Sequence, residues 1–209
     1  MLAAKIIDFP KEKQPLSSNS AWAFNSDQTQ DWAYINNLFT PEECDRIIAI
    51  GESKILNKAE IIGDNSKISA IRDSKIAWLY SVDNMEWVFR RVTDAVVGVN
   101  NQYFKFDLYG FSEGFQFTRY DAPSGFYGVH TDKMLNGVVR KLSLTIQLSA
   151  PEDYEGGELA LHLSGTPEMM PKEHGKMVLF PSYVLHEVRP VTKGTRYSLV
   201  AWITGVPFK

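Results

Sequence analysis

Apolar positions recur at helical spacing in the first half of the chain and at strand spacing in the second. Thr40-Pro41-Glu42-Glu43 is a helix start, with Thr as cap, Pro at the first helical position and Glu placed to close a capping box. Ile47 and Ile48 supply the apolar face of this helix, and Gly51 offers a stop. A second helix is predicted where Asp83 can act as cap with Glu86 three residues on. There Met85, Val88, Phe89, Val92, Ala95, Val96 and Val99 recur at steps of three and four. That stripe is wide enough to lie across a sheet and suggests no chemistry. Residues 10–31 are polar and read as an arm anchored by Trp22 and Phe24, and residues 57–70 read as a polar loop able to act as a lid. The run from Ile71 to Leu79 reads as loop passing into strand.

From residue 103 the period changes to two. Phe104, Phe106 and Leu108 alternate with polar residues, as do Phe115 and Phe117 with Gln116, Thr118 and Tyr120. Between Lys141 and Ser149, Leu142, Leu144, Ile146 and Leu148 share one face, while Ser143, Thr145 and Gln147 share the other. A polar face on a long strand ordinarily meets solvent; in a barrel-like setting it can line a polar cavity instead. Gly156-Gly157, Pro181, Pro190 and Gly194 punctuate the remaining strands. Helices followed by about eight short strands predict an α+β protein, a double-stranded β-helix (jelly roll) with the N-terminal helices packed on one sheet. Residues 1–209 read as one domain, with 1–102 forming an arm and supporting helices and 103–209 the jelly-roll core.

Composition narrows the function classes. With 22 Lys and Arg against 25 Asp and Glu, the net charge is −3, so no global field draws the chain to nucleic acid or to an anionic membrane. No run approaches the ~18 apolar residues of a membrane span, and the start of the chain is too short and too charged for a signal-peptide core. The single Cys44 leaves no internal disulfide and suits a reducing cytoplasm, or a host's cytoplasm if the protein is viral. Within its helix it reads as a small core residue rather than a reactive thiol.

The candidate chemistry lies in His130-Thr131-Asp132, with His186 downstream and Arg196 ten residues after it. On a strand, His130 and Asp132 fall on one face roughly 7 Å apart. With His186 they form a His₂-carboxylate set, which holds Fe(II) on one face and leaves positions open opposite. Zinc is the competing metal for such ligands, but zinc hydrolases usually set their His pair on a helix. Two ordinary buried histidines are the plainer alternative for His130 and His186. His162 and His174 read as surface or strand residues without a ligand role.

In Thr195–Trp202, Arg196, Ser198, Val200 and Trp202 share one face and Tyr197, Leu199 and Ala201 the other. A buried guanidinium is costly unless paired, and a dicarboxylate would pair it in bidentate geometry. Without the His₂-carboxylate set, an internal Asp or Glu would be the plainer partner; with that set present, the dicarboxylate is favoured. Tyr120, Tyr127, Thr145, Gln147 and Ser198 are candidate hydrogen-bond partners for such a ligand.

These segments resemble the prolyl 4-hydroxylase branch of the 2-oxoglutarate/Fe(II) oxygenases, most closely the bacterial and phage PKHD-type hydroxylases. The resemblance rests on Asn37–Cys44, Arg119-Tyr120 through His130-Thr131-Asp132, Arg140–Thr145, Tyr154–Leu159 and Phe180-Pro181-Ser182 through Trp202. It implies that His130, Asp132 and His186 bind Fe(II) and that Arg196 grips the distal carboxylate of 2-oxoglutarate. It also implies that Tyr120 and Tyr127 border this cosubstrate and that Trp202 lies near the reaction centre. Gln147 departs from the tyrosine that prolyl hydroxylases can carry there, although an amide can still donate a hydrogen bond. Arg72, Ser74 and Trp78 fall in a segment resembling the substrate entrance.

The implied activity is hydroxylation of a peptidyl prolyl residue with O₂, giving succinate and CO₂, with ascorbate as a stimulant. The implied partner is a proline-containing peptide or protein, met by a monomer or homodimer. A hydroxylase of a free amino acid or other small molecule uses the same core. A nucleic-acid demethylase would be expected to carry a second arginine where Trp202 stands, and a non-enzymatic binding module would normally have lost a ligand.

Overall fold

A computed structural model describes residues 30–54, 57–58, 71–135 and 137–208. Most of the predicted arm over 10–31, including Trp22 and Phe24, and most of the predicted lid lie outside the described residues. The elements begin with β1 (Ala33–Ile35), α1 (Pro41–Ser53), β2 (Asn57–Lys58), β3 (Arg72–Asp73), β4 (Lys75–Leu79) and α2 (Glu86–Val99). Next come β5 (Leu108–Gly110), β6 (Phe115–Asp121), β7 (Phe126–His130), β8 (Met134–Leu135) and β9 (Val138–Gln147). The chain continues through β10 (Tyr154–Gly156), β11 (Leu159–Leu161), β12 (Glu168–Met169), β13 (Met177–Pro181), β14 (His186–Val188) and β15 (Val191–Gly205). Among the described residues no helix is long and apolar enough to cross a membrane.

The strands form two antiparallel sheets. The larger runs β1-β13-β9-β15-β6-β4-β2, with β5 and β10 also paired to β15 and β8 to β9; the smaller runs β12-β11-β14-β7-β3. This is the expected jelly roll with helices on one sheet, though the described strands number fifteen rather than about eight, several of them only two or three residues long.

Period-two patterning explains the layering. Phe115, Phe117, Leu142, Leu144, Ile146, Leu199, Ala201 and Ile203 project from one face of the large sheet and share a core with Ile47, Val88, Val92, Val96 and Val99 of the helices. Fully burying each such Phe, Leu, Ile or Val side chain is worth about 1.5–3 kcal/mol relative to exposure. The opposite face of the same strands carries Gln116, Thr118, Ser143, Thr145, Gln147, Arg196 and Ser198, all buried. A second core, including Tyr120, Tyr154, Leu161, Phe180, Val188 and Val191, lies on that side, between the sheets. The polar face of β9 therefore lines an interior space rather than meeting solvent.

Helix α1 starts as predicted. Thr40 Oγ1 accepts the Glu43 amide at 3.3 Å and Glu43 Oε2 accepts the Thr40 amide at 3.0 Å. The same carboxylate takes a bidentate bond from Arg91 of α2, at 2.5 and 2.8 Å, which ties the two helices together.

Several local expectations are corrected. Gly51 does not stop α1, which continues to Ser53; it is buried, and a Cβ there would meet the Phe117 ring at 2.5 Å. The residue is small because the helix lies directly on the sheet. Asp83 does not cap α2: its side chain accepts the Tyr80 amide at 2.8 Å, closing a turn before the helix begins. Phe104 and Phe106 are not on a strand. A wide helical turn extends from Asn100 to Phe104, Lys105 takes a positive φ, and the strand begins only at Leu108. Asn100 locks this exit, its Nδ2 donating to the Phe106 carbonyl and its Oδ1 accepting the Phe106 amide. The Ile71–Leu79 run is two strands, β3 in the small sheet and β4 in the large, so the chain changes sheets at Ser74. Cys44 is fully buried as expected, and burial pushes its thiol pKa up to about 12, leaving an inert neutral group.

Substituting Gly51→Val should destabilise the fold by about 1–3 kcal/mol through overpacking against Phe117, seen as a lower urea midpoint with an unchanged far-UV spectrum. An unchanged midpoint would contradict the close approach.

Candidate metal and anion site

Strand β14 pairs antiparallel with β7 so that His186 is the register partner of His130. The two rings lie with centroids 4.1 Å apart. Asp132 is not on the strand as expected: β7 ends at His130, and the chain turns so that Thr131 faces solvent while Asp132 is buried. The Asp132 amide donates to the Ser182 carbonyl at 2.9 Å, which fixes that turn without ladder pairing. The carboxylate still converges on the imidazoles. Asp132 Oδ2 is 3.3 Å from His186 Nε2, and Oδ1 is 3.7 Å from His130 Nε2. One potential ligand atom from each of the three residues lies within 4.8 Å of the others, and no second such group of ligands occurs among the described residues.

Backbone carbonyls orient both rings. His130 Nδ1 is 2.8 Å from the Gly128 carbonyl and His186 Nδ1 is 2.9 Å from that of Val184. A carbonyl can only accept, so each Nδ1 carries the proton and each Nε2 is left as a donor of electron pairs toward the shared space. Burial and the neighbouring His186 hold the His130 pKa down at about 4, which keeps this ring neutral and able to ligate. For His186, burial acts downward, but the Asp132 carboxylate beside Nε2 favours a proton there and outweighs it, so the pKa is raised, and a metal ion would take the place of that proton. Burial acts to raise the Asp132 carboxyl, yet the His186 bond and the two imidazoles hold it well below the ordinary carboxylate range. The carboxylate is therefore anionic, and Ser143 Oγ donates to its Oδ2 at 2.9 Å.

Arg196 occupies the inner face of β15 and is only 1% exposed. Its Nη2 donates to Gln147 Oε1 at 3.0 Å and its Nη1 approaches Ser198 Oγ at 3.5 Å, while buried Nε has no partner among the described residues. No carboxylate lies within ion-pair distance of it among the described residues either. None of them supplies the internal Asp or Glu that could have neutralised it. Tyr120 lies under the guanidinium, at 5.4 Å, and the buried Tyr154 hydroxyl stands beside Arg196, where burial pushes its pKa up against the opposing pull of the guanidinium. Gly157, at φ +65°, passes so near that a Cβ would stand 3.0 Å from Arg196 Cδ, so glycine is required there. A buried cation with an unpartnered Nε and no described carboxylate fits an anion with several oxygens.

The remaining predicted residues divide into two sets. Tyr127 stacks on the His130 ring at 3.6 Å, and Trp202 packs against Trp78 at 6.1 Å, its indole near enough to Asp132 to help hold that carboxyl's pKa down. Arg72 lies over the Tyr127 ring at 4.5 Å and bonds Ser74 at 2.8 Å, so these two residues border the metal-side cluster. Thr145 is buried on the inner face of β9 between Ser143 and Gln147. His174 makes no part of the cluster, and His162 faces Glu187 at 3.3 Å instead. Sequence reasoning misses Ser143 and Tyr154. Ser143 shares the strand face of Thr145 and Gln147, which is the available signal; Tyr154 gives none beyond its place in a resembling segment.

With this geometry in view, residues 115–204 match the sequence model of the 2OG-Fe(II) oxygenase superfamily, a stretch holding all three clustered ligands and Arg196. Part of the chain is also similar to proteins named as PKHD-type hydroxylases. One such relative, from a Synechococcus strain, is 43% identical over 82 residues, and the aligned stretch spans 37% of this chain and only 37% of that protein. A prolyl hydroxylase from Trichoplax adhaerens, solved with a hypoxia-inducible-factor peptide, has a TM-score of 0.71 at 19% identity, covering 85% of this chain and 84% of its own. A prolyl-4-hydroxylase from Pseudomonas putida gives 0.64 at 23%, covering 86% and 95%. At these identities the structural likeness is one of fold.

Ser143→Ala should lower affinity for Fe(II) or Mn(II) by about 10–100-fold, because the Asp132 carboxylate loses the group that orients it. Calorimetric titration of metal into the apo protein checks this; wild-type affinity would show the bond to be incidental.

Proposed function

We propose that the protein is an Fe(II)- and 2-oxoglutarate-dependent dioxygenase that hydroxylates a prolyl residue in a peptide or protein. The observation that carries this reading is a His-Asp-His cluster together with a buried arginine on the face of β15 that also carries Trp202, beside Asp132, and with no carboxylate of its own among the described residues. His130, Asp132 and His186 would hold the iron, which when bound supplies the activation of dioxygen. Arg196 would take the distal carboxylate of 2-oxoglutarate, with Gln147, Ser198, Thr145, Tyr120 and Tyr154 lining that end. Gln147 spends its Oε1 on Arg196, so its amide N–H groups are left to donate to the same carboxylate.

The balanced reaction converts 2-oxoglutarate, O₂ and a substrate C–H into succinate, CO₂ and C–OH. The chain's own part is to fix three ligands, orient a dicarboxylate and exclude water, and it needs no general base. Tyr127 and Trp202 border the ligands from either side and would shape the approach of the substrate. Ascorbate would stimulate by keeping the iron ferrous, and a reducing cytoplasm would suit both the iron and the inert Cys44 thiol. Support for a prolyl substrate comes from the PKHD-type relatives and the prolyl hydroxylase folds; a free amino acid is the second reading, favoured by the unpaired Arg72.

Arg196→Ala should raise the 2-oxoglutarate concentration needed for half-maximal succinate formation by on the order of 100-fold, with little change in thermal stability. An unaltered requirement would contradict its role. Incubating the enzyme with proline-bearing peptides and measuring succinate and a one-oxygen mass gain tests the substrate. Turnover of free proline and of no peptide would overturn the peptidyl reading.

A further inference from the structure

Two arginines flank the metal-side cluster at similar depth, and they differ in one respect. Arg140 is 6% exposed, lies over the Trp202 ring at 4.0 Å, and is neutralised by Glu113 through bonds of 2.7, 2.8 and 3.0 Å. Arg72 is 5% exposed and lies over the Tyr127 ring at 4.5 Å, but Ser74 Oγ is its only side-chain hydrogen-bond partner among the described residues. Its buried Nη2 is unpartnered there, and no described carboxylate stands within ion-pair distance.

A stacked guanidinium keeps its full charge, and an aromatic face and a hydroxyl do not neutralise it. A buried, unpaired cation is costly and is relieved by an incoming anion. The position of Arg72 says which anion. Tyr127 carries the guanidinium over its ring and itself stacks on His130, one of the three clustered ligands. Arg196 has a separate set of contacts in Gln147, Ser198 and Tyr120, none of them shared with Arg72. The sheet change at Ser74 places Arg72 on β3, the edge strand of the small sheet, beside β7. A group bound there belongs to the molecule that approaches the metal-side cluster, not to the one gripped at Arg196.

We propose that Arg72 is the counter-cation for a carboxylate on the substrate, so that the protein selects an acidic residue next to the reacting prolyl residue. This rests on the hydroxylase reading above and names its substrate class. The α-carboxylate of a free amino acid has the same chemistry, and the test separates the two sources.

The experiment uses the full chain loaded with Mn(II) and 2-oxoglutarate under argon. Binding is measured by calorimetry for N-acetylated, C-amidated Ala-Pro-Gly, Asp-Pro-Gly and Ala-Pro-Asp peptides and for free L-proline. The wild type should bind an acidic peptide about tenfold or more tightly than the neutral one. Arg72→Gln should erase that difference without altering 2-oxoglutarate affinity, and Arg72→Glu should transfer the preference to Lys-Pro-Gly. Preference for free proline over every capped peptide, lost in Arg72→Gln, keeps the carboxylate assignment and overturns the acidic-residue source. Equal binding of neutral peptides, acidic peptides and free proline to the wild type, or equal weakening of all in Arg72→Gln, overturns the proposal. Succinate formation on neutral prolyl peptides would then leave the hydroxylase reading standing. Acidic preference in binding with no succinate from any peptide would instead remove the hydroxylase reading and keep the anion site.

Discussion

A guanidinium with 1% of its surface exposed and no described carboxylate beside it is the constraint around which the interior of this protein is arranged. Burying a charge costs several kcal/mol unless hydrogen bonds and a counter-ion compensate. Arg196 has hydrogen bonds to Gln147 and Ser198 but an unpartnered Nε, and none of the described residues supplies the counter-ion. The surrounding chain yields to this group: Gly157 gives up its side chain to let Arg196 Cδ approach, Gln147 turns its acceptor toward Nη2, and the Tyr154 hydroxyl stands beside it. Such a site is stable enough to fold and incomplete enough to bind an anion.

The metal-side cluster depends on a different kind of constraint, one of strand register. His130 and His186 are far apart in sequence and meet because β7 and β14 pair with those residues opposite each other. Backbone carbonyls two residues before each histidine, Gly128 and Val184, then fix which nitrogen is free. Asp132 joins from outside the ladder, held by its amide to Ser182 and by its carboxylate to Ser143. A one-residue slip of β14 would turn Glu187 inward in place of His186 and dissolve the cluster.

The site's polar face is legible in the sequence because the period-two pattern of β9 and β15 assigns side chains to faces with little ambiguity. Placing Arg196, Gln147 and Ser198 on one buried face needs only that pattern and a second sheet to cover it. The helix caps are less legible: Thr40 and Asp83 read alike, but Asp83 reaches back to Tyr80 and closes a turn before its helix. Phe104 and Phe106 alternate like a strand, yet Asn100 bonds both polar groups of the residue-106 backbone and ends a helix there. A two-residue spacing from His130 fits Asp132 to a strand; the turn that buries it is fixed by Ser182, a contact no local pattern reports. Nor does the sequence distinguish Arg72 from Arg140, since only tertiary packing decides that Glu113 reaches one and no described carboxylate reaches the other.

The cluster and the unpaired arginine together make one claim, that a ferrous ion and a dicarboxylate occupy this interior at once. Anaerobic titration of 2-oxoglutarate into the Fe(II)-loaded protein tests it most directly by visible absorption. A weak charge-transfer band that saturates with one equivalent of 2-oxoglutarate, and is lost in His130→Ala, is the predicted result. No band in the wild type, or the same band in His130→Ala, would contradict the account.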